Sequence, residues 1–451
     1  MKLSNLASLA FSAVACLALD PVEVKGNAFF VGDSRFYIRG LDYQPGGSST
    51  LIDPLANPDT CERDIKYFKE LGINTIRIYS IDNTADHDEC MEKLADAGIY
   101  VIFDVNIPNA SIARDDAKCS YNTMYLNEVL ATVLKMAKYN NTLGYFAANE
   151  VINDDDSTKA ATYVKAVVRD MKTFIKNRKI RAIPVGYSAA DVAENRLETA
   201  MYFNCGDDEM ARVDMFGFND YSWCGKSSFK TSGYDQKVED YSNYSVPLFF
   251  SEYGCNKVNP RPFTEVQALY STDMTGVFSG GLVYEYSEES NNYGLVKISS
   301  DNKTVTPNDD FDNLKSEFAK TSNPSGDGSY QDDLPHNNCP PQSDKWEASN
   351  KIPDTPKGAL KYVKGVEDPK GNGFDASTQW ACVAKGNDDD DSGDSSSTIS
   401  GAGSSSTAAS GSRSSGGSSS SSSSSKKGDA GLASASGALV SLALAVGAFI
   451  I

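Results

Sequence analysis

Histidine is scarce in this sequence, and cysteine never occurs in the closely spaced pairs that are typical of zinc sites. Only His87 and His336 could supply an imidazole in a chain of 451 residues, and no Cys-x-x-Cys pair is present. A zinc ion needs several Cys, His or carboxylate ligands, usually with some of them close together in sequence. We therefore predict that the protein holds no metal and needs no cofactor.

Positive charge is also in short supply. The chain has 42 Lys and Arg residues against 61 Asp and Glu residues, and its formal net charge is −19 at pH 7. A nucleic-acid-binding protein needs a basic face that neutralises phosphates. We therefore predict that nucleic acid is not a partner, whereas a neutral ligand is unaffected by this argument.

The sequence contains no long apolar run of the kind that spans a bilayer, although both of its ends are apolar. Residues 1–18 combine Lys2, an apolar stretch and small residues near Ala18, which is typical of a secretory signal. Residues 438–451 are apolar and uncharged and follow small residues, which is typical of a signal for a glycosylphosphatidylinositol (GPI) anchor, with Gly428 as the predicted attachment site. A tail-anchored helix is the alternative, but the run is short for a hydrocarbon core of about 30 Å. We expect a secreted protein that a GPI lipid holds on the outer leaflet of the plasma membrane.

The cysteine count agrees with this secretory route. Nine cysteines are present, and Cys16 would leave with the signal. An even number in an oxidising compartment favours disulfides; the eight are Cys61, Cys90, Cys119, Cys205, Cys224, Cys255, Cys339 and Cys382. Four sequons predict N-glycosylation, at Asn109, Asn140, Asn243 and Asn302.

Short apolar runs alternate with helix-like segments through the first three quarters of the chain. Nearly continuous apolar runs indicate strands that are buried on both faces, and their alternation with helices predicts an α/β fold, a (β/α)₈ TIM barrel. The predicted strands are 36–41, 75–79, 100–104, 144–149, 182–186, 215–219, 247–252 and 281–284. The clearest predicted helices are 61–71, 88–97, 125–138, 159–177 and 190–200.

The sequence after the barrel changes character twice. We assign 19–325 to the barrel and 326–386 to an extension that contains Trp346 and Trp380 but has no periodicity of its own, so we expect disulfides to attach it to the barrel. The acidic and serine-rich stretch 387–427 has little to bury and is expected to form a disordered stalk. The GPI signal occupies 428–451.

Two glutamates stand at the C-terminal ends of predicted strands, which is where a TIM barrel carries its active site. Glu150 follows the fourth strand and Glu252 closes the seventh. Retaining glycoside hydrolysis needs two carboxyl groups about 5–5.5 Å apart, one as acid and then base, the other as nucleophile. A lone strand-end glutamate is more often a salt-bridge partner, but Asn149 before Glu150 is placed to bond a sugar 2-hydroxyl. We predict Glu150 as the acid/base, protonated at rest, and Glu252 as the ionised nucleophile.

Aromatic residues cluster at the same strand ends, as they would around a sugar whose C–H faces pack on rings. Each single tyrosine is equally well explained as a half-buried core residue; the set is Tyr79, Tyr221, Tyr284 and Tyr286. Tyr284 is also placed to hold Glu252 ionised through a hydrogen bond. Asp104 ends the third strand and could face the cleft, with a helix N-cap as its alternative role.

Several motifs in this order resemble one known family. They are GLDYQPGG from Gly40, RIYSID from Arg77, YFAANEV from Tyr145, GYSAADVAENR from Gly186, FFSEYGCN from Phe249 and VYEYSEE from Val283. Over about residues 22–320 the chain resembles the fungal GPI-anchored 1,3-β-glucanosyltransferases of the Gas/Gel/Phr type, glycoside hydrolase family 72. The resemblance implies a (β/α)₈ barrel with acid/base Glu150 and nucleophile Glu252.

The resemblance also implies an activity and its partners. An enzyme of this type cleaves β-1,3-glucan internally and transfers the new reducing end to the non-reducing end of a second chain, which elongates cell-wall glucan. Donor and acceptor glucan chains would be its partners, and either the plasma membrane or the cell wall its location. Implied glucan contacts are Tyr79, Asn149, Asp191, Arg196 and Tyr284, with Gln44, Asp104 and Tyr221 as additions.

The family's cysteine pattern implies the disulfides Cys61–Cys90, Cys205–Cys339 and Cys224–Cys255, which leaves Cys119 and Cys382 as the fourth pair. Two cysteines after Cys255 are too few for the cysteine-rich carbohydrate-binding module of some members, so we expect the short subtype. Two alternatives stay open at this stage. A plain β-1,3-glucan hydrolase would use the same two glutamates, and a non-catalytic wall protein would use the groove to hold glucan.

Overall fold

Thirteen strands occur in the computed structural model, which describes residues 19–47 and 50–379. They are β1 Glu23–Lys25, β2 Ala28–Val31, β3 Ser34–Phe36, β4 Ile38–Asp42, β5 Thr75–Ile78, β6 Tyr100–Asp104, β7 Thr142–Asn149, β8 Val185–Ala190, β9 Met215–Asp220, β10 Leu248–Tyr253, β11 Phe278–Val283, β12 Val296–Ile298 and β13 Val305–Pro307. Strands β4 to β11 form a closed parallel barrel in chain order, with β11 paired to β4. The predicted TIM barrel is confirmed.

Ten α-helices lie in the described residues, most of them on the outside of the barrel. They are α1 Pro58–Leu71, α2 Asp88–Asp96, α3 Ala117–Ser120, α4 Thr123–Met136, α5 Ala161–Asn177, α6 Arg196–Phe203, α7 Tyr234–Asp240, α8 Glu265–Leu269, α9 Asp309–Lys320 and α10 Leu360–Val363. Short 3₁₀ turns occupy Arg114–Asp116, Asp156–Ala160, Glu209–Ala211, Lys357–Ala359 and Gly373–Asp375. None of these helices has the length and apolar character that crossing a bilayer requires.

Helix α1 shows how local sequence sets an element's ends. The side chain of Asn57 accepts hydrogen bonds from the backbone of Asp59 and Thr60, and Pro58 occupies the first helical position, where its missing N–H costs nothing. The helix stops at Gly72, whose φ of 73° lies in the left-handed region that glycine adopts without strain. Both signals are readable in the sequence.

The barrel interior is apolar at its N-terminal end and polar at its C-terminal end. Ile38, Ile102, Phe146 and Phe249 pack together inside, and the β1–β3 sheet adds Phe29 to this cluster. Its edge-to-face contact with Phe249 has a ring separation of 5.8 Å. The antiparallel sheet therefore covers the N-terminal end, and the polar chemistry is left to the opposite end.

The segment after the barrel packs along α5 and α6 without a core of its own. Trp346 is fully buried against Tyr202, with ring centroids 5.3 Å apart. Arg169 of α5 donates to the carbonyl of Pro353 at 2.6 Å and to Thr355 Oγ1 at 3.1 Å. Contacts with the barrel helices therefore stabilise this segment, as its lack of periodicity predicts.

One predicted helix begins too early. The alanine-rich stretch 190–200 reads as helical from its first residue, but β8 continues to Ala190, and α6 starts at Arg196. Ser188, Ala189 and Ala190 pair in register with β9. Pairing with β9 therefore places Ala190 in the strand, and residues 191–195 form a turn that ends at Asn195, the N-cap of α6.

The structure contains disulfides between Cys61 and Cys90, Cys205 and Cys339, and Cys224 and Cys255, as the family resemblance implies. The Cys205–Cys339 bond joins the end of α6 to the extension. Cys382, the stalk 387–427, the GPI signal with Gly428, Trp380 and the signal peptide 1–18 lie outside the described residues, so those assignments stay predictions.

Candidate active site

Glu252 lies near the end of β10 with its carboxylate surrounded by hydrogen-bond donors. The hydroxyl of Tyr79 donates to Oε1 at 2.8 Å, and the hydroxyl of Tyr221 donates to Oε2 at 2.7 Å. Arg77 Nη1 adds a longer contact to Oε1 at 3.3 Å. Hydrogen bonds from three donors favour the ionised form of a carboxyl group. The predicted donor Tyr284 is not among them; the same task falls to two other tyrosines.

Arg77 is the cation of this site and is itself completely buried. Its Nε and Nη2 atoms bind the two oxygens of Asp104 at 2.9 and 2.8 Å, a bidentate pair that fixes the guanidinium plane. The rings of Tyr79 and Phe146 lie 4.2 and 4.9 Å from the guanidinium carbon. Asp104 therefore orients Arg77, and its alternative role as a helix N-cap is wrong.

Burial dominates the protonation of Glu252, which is 8% exposed. Burial raises its pKa from 4.5 to about 7, and the negative charge of Glu150 raises it as well, whereas Arg77, Tyr221 and Tyr79 lower it. The three donors around Glu252 thus oppose the effect of burial, and they favour the ionised carboxylate that a nucleophile needs.

Glu150 follows β7 in a strained backbone conformation, with a φ of 47°. Non-glycine residues seldom adopt positive φ, and such strain concentrates at functional sites. The surrounding structure holds both of its main-chain groups: its N–H donates to the carbonyl of Ser188 at 2.9 Å, and Arg114 donates to its carbonyl at 2.9 Å. These bonds turn the half-exposed side chain away from the direction of the strand.

Asn219 connects the two glutamates. Its amide donates to Glu150 Oε1 at 2.8 Å, and its backbone is the register partner of Glu252 across β9 and β10. The charge of Glu150 is also close enough to raise the pKa of Glu252. The fold therefore brings residues from the fourth and seventh barrel strands to one place at the C-terminal end.

A small hydroxyl and amide network lies beneath the two carboxylates. Ser188 Oγ donates to Asn149 Oδ1 at 2.7 Å, and Ser251 Oγ donates to Asn219 Oδ1 at 2.9 Å. The Ser188 and Ser251 hydroxyls lie 2.9 Å apart. Because these bonds fix the carbonyl oxygens of both asparagines, their amide N–H groups are turned toward the site.

Aromatic rings form one wall beside Glu252. Tyr284 makes edge-to-face contacts with Tyr79, Tyr221 and Tyr293, at ring separations of 6.5, 6.4 and 5.4 Å. Tyr286, predicted to join this set, is instead fully buried, and its hydroxyl donates to Asp64 at 2.7 Å. Both tyrosines follow the strand end at Val283, but Tyr284 packs beside Glu252 whereas Tyr286 packs against Asp64.

Three other predicted contact residues lie at the same end of the barrel. Asp191, just after β8, forms ion pairs with Arg196 at 3.0 Å and with Lys237 at 3.1 Å. Burial raises the pKa of Asp191, and these two cations oppose the rise. Gln44 lies in the turn after β4, half-buried. All three therefore lie beyond the C-terminal ends of β4 and β8.

Several residues of the site escaped sequence reasoning. Arg77, Ser188, Asn219 and Ser251 are buried polar residues within strands. Arg77 carried a readable signal, because a charge inside an apolar strand needs a buried partner. The serines carried none, since small polar residues are common in strands and their partners come from other strands.

Comparison with known proteins agrees with this geometry. Residues 11–322 match the family described as Glucanosyltransferase, glycoside hydrolase family 72. The chain is 65% identical to 1,3-beta-glucanosyltransferase PGA4 of Candida albicans over 374 residues, 82% of each chain. It is 57% identical to 1,3-beta-glucanosyltransferase GAS5 of Saccharomyces cerevisiae, over 81% of this chain and 75% of that one.

The fold is also similar to solved structures of Gas2p from Saccharomyces cerevisiae. A mutant in complex with laminaritetraose and laminaripentaose has a TM-score of 0.70 and 43% identity, and the match covers 75% of each chain. The family resemblance read from the motifs is therefore confirmed. On the evidence of sequence, barrel and relatives together, this chain belongs to the glucanosyltransferase family, glycoside hydrolase family 72.

Proposed function

We propose that this protein is a retaining 1,3-β-glucanosyltransferase that elongates cell-wall glucan. The observation that carries the proposal is the arrangement at the barrel mouth. A buried carboxylate, Glu252, accepts hydrogen bonds from three donors beside a second carboxylate, Glu150, in a chain that belongs to the glucanosyltransferase family. The relatives named above carry this activity in their names.

In the first step, Glu252 attacks the anomeric carbon of an internal glucose of a β-1,3-glucan. Its Oε2 accepts one hydrogen bond, from Tyr221, and so keeps a lone pair for the new bond. The glycosidic C–O bond breaks as Glu150 gives its proton to the departing oxygen. The fragment with the old reducing end leaves, and the rest of the chain stays as an ester on Glu252.

In the second step, Glu150 works as a base. It takes the proton of the 3-hydroxyl at the non-reducing end of a second glucan, and that oxygen attacks the anomeric carbon of the ester. The ester bond breaks, Glu252 regains its charge, and a new β-1,3 linkage forms. The Asn219 amide stabilises the ionised Glu150 that exists between the two steps.

The residues that surround the carboxylates are proposed to bind glucan. Tyr284 and Tyr79 supply ring faces and hydroxyls, and Asn149 has its carbonyl fixed so that its amide faces the site. The full proposed set is Tyr79, Asn149, Asp191, Arg196, Tyr284, Gln44, Asp104 and Tyr221. Laminari-oligosaccharides are bound in the solved Gas2p complexes, which supports a β-1,3-glucan as the ligand of this groove.

The proposal also includes the location of the enzyme outside the cell. Its cleaved signal, a GPI anchor at Gly428 and glycans at Asn109, Asn140, Asn243 and Asn302 would put the barrel on the outer face of the plasma membrane, where it reaches wall glucan. The short subtype, which lacks a cysteine-rich binding module, fits the cysteine count. Release of the ectodomain by a phosphatidylinositol-specific phospholipase tests the anchor.

Product length is the test of the activity. The purified ectodomain is incubated with a reduced laminari-oligosaccharide, and products are separated by size. Products longer than the substrate support transfer, whereas products that are all shorter mean hydrolysis and no products mean a binding protein. Glu252→Gln should abolish transfer and Glu150→Gln should reduce it by about 10²- to 10⁴-fold, while Glu239→Gln, the same change on the exposed surface of α7, should not affect it. Activity like the wild type in either of the first two variants refutes the assignment.

A further inference from the structure

Asp42, the last residue of β4, is a fully buried carboxyl group without a hydrogen-bond partner. It is 0% exposed, and neither of its oxygens bonds to any group in the described part of the chain. It pairs in register with Arg77, and its own carbonyl accepts a hydrogen bond from the backbone of Tyr286. Asp42 therefore faces the catalytic centre, yet nothing in the proposed mechanism uses it.

The groups that face Asp42 come from five neighbouring strand ends. They are Arg77 on β5 and Tyr79 just after it, Asp104 on β6, Tyr221 after β9, Glu252 on β10 and Tyr284 after β11. Arg77 is the cation among them, and it gives two N–H donors to Asp104 and one to Glu252. Its remaining bond goes to the carbonyl of Ser251, and none of its N–H groups bonds to Asp42.

The charges around Asp42 decide whether its carboxyl group is protonated. Arg77 and Asp104 neutralise each other, and a nucleophilic Glu252 must be negative. A second buried anion without a donor or a cation would be very costly. Burial accordingly raises the pKa of Asp42 well above its ordinary value, and the charge of Glu252 raises it as well, against the effect of Arg77. Asp42 is therefore expected to hold a proton.

A protonated carboxyl group must donate its hydrogen to something. The hydroxyl of Tyr79 donates its single hydrogen to Glu252 Oε1 at 2.8 Å and keeps lone pairs for a donor. Tyr79 lies close enough to Asp42 to lower the pKa of that carboxyl group, although Asp42 has no hydrogen-bond partner in this conformation. Because the Tyr79 hydrogen is directed at Glu252, the hydroxyl can only accept a hydrogen bond from Asp42.

We propose that Asp42 is a positioning residue whose protonated carboxyl group donates a hydrogen bond to the Tyr79 hydroxyl and thereby directs the Tyr79 hydrogen at Glu252. The inference rests on the proposed function, since it acts through the nucleophile. Chained hydrogen bonds polarise one another, so the bond from Asp42 strengthens the one from Tyr79. Glu252 is thereby kept ionised although burial opposes its charge.

The pH profile of kcat/KM for glucan transfer tests the role, because its acid limb reports the ionisation of the nucleophile. Asp42→Asn keeps a donor of the same shape and cannot ionise, so the acid limb should stay in place and kcat should fall by no more than about threefold. Asp42→Leu removes the donor, so kcat should fall about tenfold and the acid limb should move to higher pH. If Asp42 were ionised at rest, both variants would move the acid limb to lower pH, which would overturn the proposal.

Two further measurements separate this role from a structural one. In a Tyr79→Phe background, Asp42→Leu should add no further shift, since its effect passes through the lost hydroxyl; an added shift overturns the proposal. If Asp42→Leu does not fold, an infrared difference spectrum of the wild type against Asp42→Asn decides. It should show the carbonyl stretch of a protonated carboxyl group, and its absence refutes the inference. Glu252→Gln, assayed in parallel, identifies the separate case in which the proposed nucleophile itself is wrong.

Discussion

The surroundings of the two glutamates differ in almost every physical respect. Glu252 is nearly buried, lies within β10 and accepts bonds from two tyrosines and Arg77. Glu150 is half-exposed, has a left-handed backbone and accepts one side-chain bond, from Asn219. Both nevertheless stand at equivalent ends of parallel strands in the same barrel.

This difference matches the tasks proposed for them. A nucleophile must stay in one place and keep its charge, which rigid donors in a low-dielectric site provide. An acid that later becomes a base must exchange protons with a departing and an arriving sugar, which needs an open side and few competing bonds. The surroundings at the end of β10 therefore suit a nucleophile, and those at the turn after β7 suit an acid that becomes a base.

The largest effect on glycosyl-enzyme formation should come from removing each carboxylate in turn. Each variant is assayed with a donor that has a good leaving group. Glu252→Gln should form no covalent intermediate with any donor. Glu150→Gln should lose about 10²- to 10⁴-fold in glucan transfer but still form the glycosyl-enzyme from an activated glycosyl fluoride, because a good leaving group needs no acid. Intact-protein mass spectrometry measures the adduct. An adduct in the Glu252 variant would reverse the assigned roles.

Arg77→Gln should damage both stability and activity. It leaves Asp104 buried without its bidentate partner, which typically costs about 3–5 kcal/mol of unfolding free energy, measured by urea denaturation. Arg77→Lys should recover little of it, because one ammonium group cannot bind both carboxylate oxygens in a plane. Arg212→Gln, at a half-buried arginine far from the site, serves as the control. A stable and active Arg77→Gln would mean that the site does not depend on this cation.

Single hydrogen bonds on the two sides should affect the pH profile differently. Tyr221→Phe removes a donor to Glu252, so transfer should fall about tenfold and the acid limb should rise. Asn219→Ala removes the amide that binds Glu150 Oε1, so transfer should fall while the acid limb stays in place. The profiles of kcat/KM measure both. Equal shifts of the acid limb by both variants would contradict the separate roles.

The smallest effect concerns the pH dependence of stability. Burial raises the pKa of Glu252 to about 7 in the folded protein, above its ordinary 4.5. The folded state therefore binds a proton that the unfolded chain has released, and this contribution is present below about pH 4.5 and is lost as the pH rises through about 7. The difference in unfolding free energy between Glu252→Gln and the wild type should grow in favour of glutamine from pH 4.5 to pH 8. A constant difference across this range would show that Glu252 ionises freely in the folded state.

The pH dependence of transfer is opposite to the pH dependence of this stability contribution. Transfer needs ionised Glu252, so kcat/KM should fall as the pH drops through about 7. Burial of Glu252 thus lowers the free energy of unfolding in the same pH range in which Glu252 is ionised and active. Such strain is common at active sites.

The sequence by itself determined the barrel, its eight strands to within a few residues and the two glutamates, because these depend on hydrophobic periodicity and on position along a strand. The family motifs were also readable in the sequence, and the family's cysteine pattern implied the disulfides. The start of α6 differs from the prediction because Ala190 pairs with β9, a contact distant along the chain, and residues 191–195 form a turn.

Only the tertiary structure decided which groups hold those glutamates. Arg77, Asn219 and the hydroxyls of Tyr79 and Tyr221 bind the two carboxylates from strands that are distant along the chain, at distances that no local pattern encodes. Barrel closure sets them side by side, and burial then raises the strength of every charge and hydrogen bond among them.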